Sequence, residues 1–117
     1  MSTEIAWVLE VEIVPGQADN FRAVAADLIA SSRTEPGTLA YEWYINEAGT
    51  VCHIYERYRD PIAVLTHVER FGRFAERFLQ ACRPVRFSVY GTPDGEVQAA
   101  LADFQPVYYS LHDGFNR

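Results

Sequence analysis

"GTLAYEWYINEAGTVCHIYERY", Gly37 to Tyr58, is the stretch on which the fold turns. Apolar and polar side chains alternate on both sides of Ala48-Gly49, the period of a strand and not of a helix. Two strands are therefore predicted, about Thr38 to Asn46 and Val51 to Tyr58, joined by a two-residue turn at Ala48-Gly49. In that register opposed residue numbers sum to a constant. One face then pairs Ile45 with Cys52, Trp43 with Ile54 and Tyr41 with Glu56; the other pairs Tyr44 with His53 and Glu42 with Tyr55. The first face is mostly apolar and suits a cover of helices. The second mixes aromatic and charged groups.

On the N-terminal side, Ile5, Trp7, Leu9, Val11 and Ile13 alternate with a more polar set that includes Glu10 and Glu12, which predicts a strand ended by Pro15-Gly16. Phe21, Val24, Ala25, Leu28 and Ile29 then follow helical spacing up to the turn at Glu35-Pro36-Gly37. On the C-terminal side, Asp60-Pro61 is a helix start, a capping residue followed by proline at the first helical position. Its apolar stripe runs through Leu65, Val68, Phe71, Phe74, Ala75, Phe78, Leu79 and Cys82, with a bend expected at Gly72 and a break at Pro84. Val85 to Tyr90 alternates again as a fourth strand.

The order strand, helix, strand, strand, helix, strand is the ferredoxin-like βαββαβ arrangement of an α+β protein, with both helices on one face of a four-stranded antiparallel sheet. A short helix (Val97, Ala100, Leu101 and Phe104 on one side) and the tail "QPVYYSLHDGFNR" follow. At 117 residues the chain is expected to be one domain, with a core over 5–92 and a C-terminal helix and tail over 93–117. The odd-numbered side chains of the first and last strands are expected beneath helices. Their even-numbered neighbours, with Tyr44, Tyr55 and Tyr90 among them, would stand exposed in a monomer, so a homodimer through this sheet face is expected. The tail either reaches over the partner or folds over its own sheet.

Composition narrows the function. A net charge of -6 and the absence of a Lys/Arg run exclude a phosphate-backbone partner, since nucleic-acid affinity rests on clustered cations. Arg70, Arg73 and Arg77 are interrupted by Glu69 and Glu76, as on a solvated helix face. Two cysteines, Cys52 and Cys82, do not make a disulfide framework and fit a reducing, cytoplasmic setting. The apolar run from Ile5 to Val14 is broken by Glu10 and Glu12, so neither a signal peptide nor a membrane span is expected. Cys52 and His53 point to opposite faces of one strand, and no metal site is predicted. No phosphate loop, nucleophile elbow or dinucleotide fingerprint is present.

The segments "VPGQADNF" (Val14 to Phe21), "EPGTLAYEWY" (Glu35 to Tyr44) and "YERYRDPIAVLTH" (Tyr55 to His67), in this element order, resemble the antibiotic-biosynthesis-monooxygenase-like proteins of the dimeric α+β barrel superfamily. The resemblance covers about Ile5 to Thr92. It implies two protomers closing their sheets into a barrel, a pocket between sheet and helices in each, and either cofactor-independent oxygenation of a small aromatic, phenolic or quinol-type ligand or a non-catalytic ligand-binding or stress-associated role. Two departures stand out. Many members carry a second histidine where this chain has Gly72, and the Asn, Trp and His set of the haem-degrading members falls on Leu9, His67 and Arg77, which argues against haem degradation.

Oxygenation without a cofactor needs a dry cavity, room for dioxygen and a base for the phenolic proton. His67 is the first candidate, with an unperturbed pKa near neutrality and a place four residues before Phe71 on the edge of the apolar stripe; packing or capping of the helix is the alternative. Glu56 is the second, a carboxylate on the helix-covered face opposite Tyr41, which joins it as a candidate; an ion pair with an arginine of the second helix is the alternative. Trp7, Leu9, Trp43, Phe71, Phe74 and Phe78 are expected to wall the cavity or to be plain core. His53 and His112 are weaker candidates.

Overall fold

In the computed structural model, which describes residues 2–117, the elements run β1 (Ile5–Ile13), α1 (Ala18–Arg33), β2 (Thr38–Ile45), β3 (Val51–Tyr58), α2 (Pro61–Phe71), α3 (Ala75–Ala81), β4 (Cys82–Tyr90), α4 (Gly95–Leu101), a short 3-10 helix (Ala102–Phe104) and β5 (Val107–Tyr109). The sheet order is β2-β3-β1-β4-β5. This is the ferredoxin-like α+β fold with one strand more than the four predicted. β5, read as tail, lies parallel to β4 with Val89 opposite Tyr108 and Tyr90 opposite Tyr109. Three residues are too few for alternation to show.

The hairpin register is the predicted one: Ile45 faces Cys52, Trp43 faces Ile54 and Tyr41 faces Glu56. Its loop is longer than the two residues expected, however. Asn46 closes it, its side-chain Oδ1 accepting the amides of Thr50 and Val51 at 2.9 and 3.0 Å, with Gly49 at φ 71°. The loop still holds an even number of residues, so the pairing sum is unchanged and no side chain switches face.

The β1 face is also as expected, with Ile5, Trp7, Leu9 and Val11 buried beneath the helices. In β4 the odd-numbered rule holds only for its second half. A bulge shifts the register between Glu10/Val11 and their partners Arg86 and Pro84, so Phe87 and Val89 are buried, whereas Val85 is 51% exposed and Cys82 takes the core side. Pro84 therefore lies inside the strand at this irregularity, and not at a helix end.

The second helical stretch divides into α2 and α3 because Gly72 caps α2 and residues 72–74 turn. Asp60 caps the start of α2, accepting the Ala63 amide at 2.8 Å, and from there the buried positions Ala63, Val64 and His67 follow helical spacing. Gly37 lets this helix approach the start of β2, since a Cβ at Gly37 would stand 2.5 Å from the Ala63 Cβ. Gln105, in the left-handed region at φ 52°, ends the 3-10 helix and turns the chain into β5.

The opposite sheet face carries no helix. Tyr44 and Tyr90 are 58% and 43% exposed there, Tyr90 pairs with the ring of Tyr109 at 5.8 Å, and His53 meets Glu10 at 3.2 Å.

Candidate active site

Three short pieces of chain bring four titratable groups into the core. β3 places Glu56 between Tyr41 on β2 and Trp7 on β1, with Tyr58 two residues on and therefore on the same face. α2 carries His67 down onto that row. The stripe of α1, through Leu28 and Ser32, continues past the helix end to Glu35, whose amide bonds the Ser32 carbonyl at 3.0 Å. Glu35, Glu56 and His67 are each 4% exposed.

His67 lies between the two carboxylates. Its Nδ1 is 3.0 Å from Glu35 Oε1 and its Nε2 is 3.4 Å from Glu56 Oε1. Tyr58 donates its hydroxyl to Glu56 Oε1 at 2.5 Å, Thr38 donates to Glu35 Oε1 at 2.7 Å, and the rings of Tyr41 and Tyr58 each centre 5.2 Å from the imidazole. A neutral imidazole that donates through Nδ1 to Glu35 presents Nε2 as an acceptor on the Glu56 side.

Environment separates the two carboxyls. Burial pushes Glu56 above the usual carboxylate range, and neither the charge of His67 nor the Tyr58 hydrogen bond reverses it. Burial also acts upward on Glu35, but hydrogen bonds from His67 and Thr38, with the charges of His67 and Arg70, together hold its carboxyl below that range. Two carboxyls driven apart around one imidazole are an acid/base arrangement in which one carries the proton and the other stays charged and orients the ring. Burial and the charge of Glu56 push the Tyr41 and Tyr58 phenols upward, which leaves them as hydrogen-bonding groups and not bases.

Glu56 and His67 open into a cavity of about 50 Å³, walled mainly by Trp7, Leu9, Phe71, Phe87 and Phe104. Beside it, sharing part of its wall, lies an open groove of about 550 Å³ between α2, α3, β4 and the C-terminal helices. Of the expected residues, His67, Glu56, Trp7, Leu9 and Phe71 meet here. Tyr41 touches the imidazole but does not line the cavity. Trp43, Phe74 and Phe78 are not in it either: β2 lies two strands from β1, and Trp43 instead packs on Phe21 at 5.6 Å and on Phe78 at 6.2 Å as core. Glu56 pairs with His67 and Tyr58, not with an arginine of the second helix. His53 is on the uncovered face and His112 is exposed.

Glu35 was hidden in a turn-rich string. The spacing Leu28, Ser32, Glu35, which prolongs the buried stripe of α1, is the signal that marks it. Among the described residues no cluster of His, Cys, Asp and Glu could hold a metal ion, and no helix is long and apolar enough to cross a membrane.

The sheet and its helix-covered side are those of a ferredoxin-like α+β protein, here with titratable groups at an apolar cavity. The sequence model of the antibiotic biosynthesis monooxygenase family matches residues 5–83, and the chain belongs to that family. Among solved structures it is similar to MupZ from Pseudomonas fluorescens, with TM-score 0.88 and 25% identity over 99% of this chain and 96% of that one. It resembles Rv0793 from Mycobacterium tuberculosis at TM-score 0.68 and 24% identity, covering 78% of this chain and 96% of that one. SnoaB from Streptomyces nogalater, a cofactor-independent oxygenase, shares the fold at TM-score 0.67 and 14% identity, covering 80% and 96%. No curated protein matches the chain.

Proposed function

We propose that this protein is a cofactor-independent monooxygenase acting on a small phenolic or quinol-type aromatic, with Glu56 and His67 as its proton carriers. The observation that carries the reading is the buried Glu35–His67–Glu56 chain ending in an apolar cavity. The phenol gives its proton to Glu56 as Glu56 passes its own to His67 Nε2, and the resulting anion is a strong enough reductant to pass an electron to dioxygen directly. Recombination forms a carbon–peroxide bond, the stored proton returns to the peroxide, and loss of water leaves a quinone. One phenol and one dioxygen thus yield one quinone and one water, with no outside reductant. Tyr41 and Tyr58 hold the two acid/base groups in place, and Trp7, Leu9 and Phe71 exclude water.

The reading extends to assembly. A second copy packs on the uncovered sheet face, where Tyr44, Tyr90 and Tyr109 stand exposed, with the segment after β5 free to reach across. The two reduced thiols support a cytoplasmic setting. Sedimentation at micromolar concentration tests the dimer, and a single-chain mass would oppose it.

Oxygen uptake over a panel of hydroquinones and phenols tests the activity. At least one should be consumed by the wild type and scarcely by His67→Ala. A competing reading, a ligand-binding module without turnover, is favoured by one observation: a 50 Å³ cavity is smaller than a benzene ring requires. Tight binding of every aromatic tried, with no uptake by any, would decide for it.

A further inference from the structure

The cavity at Glu56 and His67 and the outer groove share Val68, Phe71, Phe87, Ala100 and Phe104. They are neighbouring spaces of about 50 and 550 Å³ that share these five residues as a wall. Phe104 is one of the five, its ring 5.9 Å from Phe71 and 6.1 Å from Phe87, edge to face with both. It is carried by the 3-10 helix, which lies beyond the 5–83 family match. Left-handed Gln105 immediately behind it, and β5 zipped to β4, hold that turn against the opening.

We infer that Phe104 is the residue that sets specificity, admitting to Glu56 and His67 only a narrow hydroxyl-bearing end while the rest of the ligand lies in the groove. The inference rests on the reading of Glu56 and His67 as partners of a phenolic hydroxyl. An inner compartment this small has space for a hydroxyl and dioxygen, and none for a whole ring or for substituents beside the hydroxyl. The groove takes apolar surface from Val68, Ala75, Leu79 and Val85 and polar groups from Arg86, Asp103 and Gln105. The ligand class that fits is an elongated phenol: hydroxyl leading, positions beside it unsubstituted, and an apolar extension on the far side of the ring.

The test is binding of para-hexylphenol against ortho-hexylphenol, identical in composition and differing in the width of the leading end. Fluorescence of Trp7 reports it in a Trp43→Phe background, since the chain has only two tryptophans. The para isomer should bind at least about tenfold more tightly, the scale on which a pocket rejects a misplaced methylene. Lengthening the para chain should tighten binding roughly fourfold per methylene buried in the groove. Phe104→Ala, which joins the compartments, should erase the isomer preference. Ala100→Phe, which adds bulk where the two compartments meet and removes no packing, should abolish binding of both isomers while the near-ultraviolet circular dichroism stays native. Equal affinities in the wild type, a preference that survives Phe104→Ala, binding unaffected by Ala100→Phe, or no binding by either isomer would overturn the inference. A para-selective chain that consumes no oxygen leaves it standing and removes the monooxygenase; an oxygen-consuming chain without isomer selectivity does the reverse.

Discussion

Replacing His67 by leucine, similar in volume, leaves Glu35 and Glu56 facing each other across an apolar side chain. The wild-type imidazole stands 3.0 and 3.4 Å from their oxygens, and all three groups are 4% exposed, so solvent cannot take its place. Breaking buried pairs by removing the shared partner costs about 3–5 kcal/mol, a large part of the roughly 5–15 kcal/mol that holds a domain folded. The cost should depend on pH with a definite sign. In the wild type the depressed Glu35 contributes stability that is present above its unfolded pKa and lost as pH falls through the folded one. Glu56, raised by burial, acts oppositely and loses stability as pH rises through the window above its unfolded value. Without His67, burial at Glu35 is opposed only by the Thr38 hydrogen bond and the Arg70 charge, and Glu56 loses the charge that opposed its own rise, so both carboxyls move upward relative to the wild type. The difference between variant and wild type, from guanidinium unfolding followed by tryptophan fluorescence, should be about 3–5 kcal/mol at pH 7 and should shrink as pH falls, because the wild type loses the contribution of its depressed Glu35 while the variant sheds the cost of its charged carboxyls. A variant as stable as the wild type at pH 7, or a difference that does not shrink on acidification, would refute the view that the imidazole compensates both carboxylates.

Gly37→Ala drives a Cβ to 2.5 Å from that of Ala63 and should destabilise by roughly 1–3 kcal/mol in urea unfolding, with Ala63→Gly in the same chain restoring part of the loss. Asp60→Ala removes the side-chain acceptor for the Ala63 amide at the start of the helix that carries His67, and should lower stability by about 1 kcal/mol by the same measurement. Burial pushes the thiols of Cys52 and Cys82 up to about 11 and about 12, so neither should react with Ellman's reagent at pH 8 until the protein is unfolded, when both should react together.

Period-two alternation made the helix-covered face readable in advance, because one buried face forces every second residue of β1, β2 and β3 to be apolar. The same logic put Glu56 opposite Tyr41 in the core and left it as a carboxylate needing a reason. Where the backbone departs from a strict period, reading by parity failed. The bulge in β4 exchanged the faces of Cys82 and Val85, and the fifth strand was too short to carry a pattern. The site was legible in its halves and not in its closure. His67 and Glu56 announced themselves by type and position, whereas Glu35 sat in a turn motif that masks a buried carboxylate. Trp43, Phe74 and Phe78 share the chemistry of cavity walls, and only the strand order, for Trp43, and the packing of α3, for the two phenylalanines, set them outside the cavity. Phe104 could be placed on a helix face but not against Phe71 and Phe87, since that contact depends on how the chain turns at Gln105.

The most direct measurement is the fate of heavy-oxygen-labelled dioxygen supplied with a para-substituted phenol to metal-free protein. The account predicts that one labelled oxygen atom enters the organic product and one enters water, at a rate that collapses in Glu56→Gln while the fold persists. Product without label, or the same labelling at an undiminished rate in Glu56→Gln, would contradict it.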